Sequence, residues 1–119
     1  METNQQVTIE SLKQQMGEYT KMTEQLPFAE FSDFYRQLIG FLQSDYHLLS
    51  VDDLVIAVAI CRIVGTNARV RGIHSDPNKK KFIKIAEKSE FWRDAITARL
   101  KTEGVSEEDL AKREETLFE

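Results

Sequence analysis

Covalent and metal staples are what this chain has least of. It holds one cysteine, so no intramolecular disulfide framework can form. Two isolated histidines, His47 and His74, and that one cysteine fall short of the roughly four N, S or O donors of a zinc site. No metal ion or cofactor is therefore expected. Cys61 lies inside an apolar run, where a thiol is normally buried and inert rather than nucleophilic.

Catalytic signatures are missing too. There is no Gly-rich phosphate loop, no nucleophile elbow and no HExxH. The carboxylate pairs Asp52-Asp53 and Glu107-Glu108 fall at expected helix starts, where the helix dipole accounts for them. No catalytic residue is nominated, and the chain is not expected to be an enzyme. It also lacks an RRM, KH, zinc-finger or basic-zipper pattern, internal repeats and low-complexity tracts. Its longest apolar run falls short of the roughly 20 residues that a membrane span needs. The polar start, Met-Glu-Thr-Asn-Gln-Gln, has neither the basic region nor the apolar core of a signal peptide, so a cytoplasmic location is expected.

What is present is ordinary for a soluble protein: 119 residues, 41% hydrophobic and 30% charged, enough for one domain with a modest core. The most apolar stretch follows Ser50. Ser50 is a candidate N-cap, Asp52 and Asp53 occupy the first turn, and Gly65 offers a left-handed stop. These ends favour a helix over a strand and predict a buried central helix of about 51–64. Continuation to Gly72 is the alternative. Ala57, Cys61 and Gly65 recur every four positions, a small-residue stripe that lets a second helix come close.

Around it the periodicity predicts further helices. Thr8 caps a first helix of about 9–25, stopped by Pro27. Its stripe is too short for a sustained coiled coil, so packing within the chain is favoured and a homo-oligomer is left open. A second helix of about 28–44 carries Phe31, Phe34, Leu38, Phe41 and Leu42 on one face. Asp76 as N-cap and Pro77 at the first position open a third segment, about 77–102, as one helix or as two broken at Ser89. Gly104 ends it. Ser106 caps a last helix of about 107–117 with little to bury. The expectation is an all-α, five- to six-helix bundle around the central helix. Residues 1–6 are expected to fray, and residues 106–119 to form a weakly docked C-terminal helix within the single domain.

The formal net charge of −4 hides segregation. Residues 1–61 carry 3 Lys and Arg against 9 Asp and Glu. Residues 62–101 carry 11 against 4, and residues 102–119 carry 2 against 7. Lys79, Lys80 and Lys81 stand in the first turn of a helix, where the dipole disfavours cations. With Arg69, Arg71, His74 and Lys84 they form a candidate anion or partner site. The competing reading is a solvated or self-paired set of charges. The function expected on these grounds is a non-catalytic helical adaptor or assembly subunit that binds a partner protein with an acidic surface, through the basic region 69–84 or the aromatic second helix. The alternative is binding to an RNA or DNA backbone through the same residues, with Trp92, Phe91 or Tyr46 stacking on bases if exposed. The acidic pI near 5.3 weighs against it.

Overall fold

The structure, a computed structural model, describes residues 7–22, 24–73 and 77–118. The expected fraying of residues 1–6, the cap at Asp76 and the site residue His74 lie outside the described residues. Five α-helices follow one another: α1 (Ile9–Thr20), α2 (Phe28–Asp45), α3 (Val51–Ile73), α4 (Lys79–Thr102) and α5 (Glu107–Glu115), with a 3₁₀ turn (Tyr46–Leu48) between α2 and α3. The chain is an all-α bundle, with no strand among the described residues. None of its described helices is long and apolar enough to cross a membrane.

Three of the helix starts follow from side-chain capping. The Thr8 hydroxyl accepts from Ser11 N–H at 3.1 Å, and the Ser11 hydroxyl accepts from Thr8 N–H at 3.0 Å, a reciprocal box. Ser50 Oγ accepts from Asp53 N–H at 3.2 Å and Ser106 Oγ from Asp109 N–H at 3.1 Å. At the far end of α4, Gly104 takes φ +94°, and Val105 N–H reaches back to Leu100 O at 2.9 Å. Only glycine enters that conformation without strain, so the helix stops there.

Three boundaries differ from the sequence-based expectation. α1 ends at Thr20, not near 25. The Thr20 hydroxyl donates to Gly17 O at 2.9 Å, and Lys21 and Met22 N–H bond three residues back, a tight turn that closes the helix. Leu26 still packs on the core, but from a non-helical segment, and Met22 is left 46% exposed. α4 begins at Lys79, two residues after Pro77, with Pro77 and Asn78 forming a turn. It then continues unbroken past Ser89.

The third difference matters most. α3 runs through Gly65 to Ile73 instead of ending at about 64. Gly65 serves there as a missing side chain: a Cβ on it would lie 3.4 Å from Ser89 Cβ of α4. Gly72, further along, faces Ile83 and Phe82. Since Gly65 meets Ser89 while Gly72 meets Ile83, α3 and α4 run antiparallel as a close hairpin, and Ala68 and Ala86, both fully buried, continue the small-residue seam. The other side of the core is aromatic. Phe82 of α4 meets the Phe28 ring edge-on at 5.2 Å and the Phe31 ring at 5.7 Å, and Phe34 meets Tyr19 edge-on at 5.3 Å. α5 lies against α3 through buried Leu110 and the ion pair Arg62–Glu114 at 3.1 Å.

Candidate interface on the fourth helix

The basic segment divides by residue type. Each of its arginines has a partner, and Arg69, Arg71 and Arg99 turn toward other elements of the fold. Arg69 pairs with Glu90 of α4 through two bonds, 2.6 and 3.2 Å, and that carboxylate raises the guanidinium pKa further above its ordinary value. Arg71 is half-buried. It donates to Leu26 O at 2.9 Å and stacks 4.4 Å from the Phe82 ring centroid. Arg99 donates to Tyr46 O at 2.6 Å and Leu49 O at 3.0 Å. Arg62 pairs with Glu114, and Arg93 with its neighbour Asp94.

Among the lysines, Lys101 pairs with Glu107 at 3.5 Å, but those of the first half of α4 do not follow. Lys79, Lys80 and Lys84 are exposed and form no ion pair with a described carboxylate. Lys81 and Lys88 hold their ammonium groups 5.5 Å from the rings of Phe28 and Phe91. At about 100° per residue, Lys80, Lys84, Lys88 and Phe91 fall within about 80° of helix arc. Lys81 borders this stripe on one side and the acidic Glu87 on the other. Lys79 projects from the opposite side of the first turn. Phe91 is 60% exposed, which is unusual for a side chain of its size.

Of the residues nominated from sequence, the structure therefore brings Lys80, Lys81 and Lys84 onto one outward face. It directs Arg69 and Arg71 to internal partners and sets Lys79 apart. Lys88 and Phe91 extend the face. Their spacing from Lys84, four and seven residues, was the available signal, and it depended on α4 continuing through Ser89. Of the three aromatics considered for stacking, only Phe91 is exposed; Trp92 and Tyr46 pack edge-on against each other at 5.4 Å and are half-buried.

The one cysteine lies in the core and not on this face. Cys61 is 1% exposed, and burial pushes its thiol pKa up to about 12, against the opposing pull of Arg93. A protonated thiol in that position is a packing group. Among the described residues no three His, Cys, Asp or Glu side chains gather as a metal site would require. Comparison with protein-family models, with curated proteins and with solved structures finds no match to this chain.

Proposed function

We propose that this protein is a non-catalytic helical binding module whose α4 face, Lys80, Lys81, Lys84, Lys88 and Phe91, docks an acidic surface of a partner protein. One observation carries the reading. Arg69, Arg71 and Arg99 bond to other elements of the fold, while Lys80, Lys81, Lys84 and Lys88 pair with no described carboxylate and run along α4 toward the exposed Phe91 ring, which Lys88 approaches at 5.5 Å. Cations in the first turn of α4 oppose the helix dipole, and an anionic partner laid over the turn relieves that opposition. A polar rim around one aromatic anchor is the usual anatomy of a transient protein interface.

A nucleic-acid backbone offers the same charge and is the competing occupant. A protein is favoured because the face is a convex helix stripe rather than a charged groove, and because the chain as a whole is acidic. The deciding experiment is a fluorescence anisotropy titration at two salt concentrations. Its probes are a labelled acidic helical peptide with apolar side chains, single- and double-stranded RNA, and DNA. Peptide binding that weakens with salt and is lost in Lys80→Glu/Lys84→Glu supports the reading. Preferential nucleic-acid binding lost in the same variant replaces it with the alternative. Absence of binding to every probe at low salt overturns both.

A further inference from the structure

A second surface, unrelated to the lysine face, lies where the end of α1 and the segment leading to α2 approach the second half of α3. A groove of about 420 Å³ opens there, within the range of small-molecule sites. Its walls are mostly apolar, with Met16, Leu26, Phe34, Ile63 and Val70 among them. Arg71 stands among these side chains, and its electrostatics are incomplete. Nη1 bonds to Leu26 O, but Nε is buried with no hydrogen-bond partner, and no described carboxylate pairs with the guanidinium. A half-buried cation without a counter-ion is unfavourable unless something supplies the missing charge. The rings of Phe82 and Phe31 compensate in part. The one acid among the described lining residues is Glu24, which is exposed and forms no ion pair with Arg71.

We infer that this groove binds a small amphipathic carboxylate, its head group on Arg71 and its hydrocarbon along Met16, Ile63 and Val70. A carboxylate matches the planar donor fork of arginine better than any other common anion of that size. The unbranched thioether of Met16 gives the wall the adaptability that a flexible alkyl chain requires.

The test is a titration of the full chain, labelled with ¹³C at the methionine methyls, against octanoate, its uncharged methyl ester and octylammonium. Met16 and Met22 both line the groove and report directly. Saturable shifts of both methyls by octanoate are expected, with affinity about tenfold or more above that for the ester, the contribution of a charge-assisted bond. Arg71→Gln should bring acid and ester to equal affinity. Because Arg71 also ties down Leu26, Asn67→Phe serves as a second variant: Asn67 is exposed on the groove lining, and the added ring should abolish binding with Arg71 intact. Lys80→Glu should change nothing. No saturable shift, equal binding of octylammonium or the ester, or unaltered binding in Asn67→Phe would each overturn the assignment.

Discussion

Gly72 of α3 faces Ile83 of α4 so closely that a Cβ at residue 72 would stand 2.7 Å from Ile83 Cδ1 and 3.2 Å from its Cγ1. Gly65, two turns earlier on the same seam, leaves 3.4 Å to its nearest neighbour. The two glycines should therefore respond oppositely to substitution. Gly72→Val is expected to destabilise by about 1–3 kcal/mol through overpacking of a stiff β-branched contact. Gly65→Ala is expected to stabilise by up to about 1 kcal/mol, because helix propensity improves where a methyl group fits. Urea unfolding midpoints at constant m-value would read both signs.

Arg99 joins the connector between α2 and α3 to α4 through two carbonyl bonds and lies 5.0 Å from the Tyr46 ring centroid. Arg99→Ala should lower stability by about 2 kcal/mol, from loss of charge-assisted bonds that leaves the Leu49 carbonyl unpaired and Tyr46 O with only its 3.3 Å bond from Leu49 N–H. Arg99→Lys should recover only part, since one ammonium does not span both acceptors as the fork does. Hydrogen exchange should show local loosening at residues 46–49 in both variants.

Cys61 imposes a pH dependence at the alkaline end. Its thiol ionises near the ordinary value of 9.0 when unfolded but at about 12 when folded. The folded chain therefore holds a proton that the unfolded chain releases. The stabilisation is complete below pH 9 and declines as pH rises toward 12, by about 1.4 kcal/mol per pH unit. Stability curves of the parent and of Cys61→Ala should converge across this window, with the variant lacking that slope. Below pH 9 the thiol should react with a disulfide reagent only at the rate of unfolding.

The Arg69–Glu90 pair is well formed but rests on the surface, its side chains 41% and 30% exposed. Solvent screening limits its value, and Arg69→Gln should leave the urea unfolding midpoint close to that of the parent. It should leave binding of an acidic peptide within twofold of the parent, about the effect of a rim charge lying off the interface. Lys80→Glu/Lys84→Glu should instead weaken that binding by tenfold or more at low salt, about the sum of two reversed charges. Equal losses in the two variants would mean that the basic segment acts through its summed field and not through one face.

Local chemistry was legible in the sequence wherever one residue type has one use. Thr8, Ser50 and Ser106 read as caps and serve as caps. The Phe31, Phe34, Leu38, Phe41, Leu42 stripe reads as a buried face and is buried. Glycine has two uses, and this is where the reading of Gly65 as a stop diverged from the structure. Gly104 is needed for its positive φ, whereas Gly65 and Gly72 are needed for the Cβ they lack, a requirement set by residues of another helix. The candidate site was legible only as a cluster of charge. Which cations remained outside depended on partners such as Glu90, Leu26 and Tyr46, which lie 21 to 53 residues away along the chain. No local pattern carries that information.

The division between arginines that hold the fold and lysines that face outward has a chemical consequence. Primary amines can be acylated under mild conditions and guanidinium groups cannot, so a reagent or an enzyme that acetylates lysine would erase the charge of the α4 face. The contacts of Arg69, Arg71 and Arg99 would be untouched. The electrostatics of the surface and the stability of the bundle are thereby separately adjustable, by a modification that leaves the amino-acid sequence as it is.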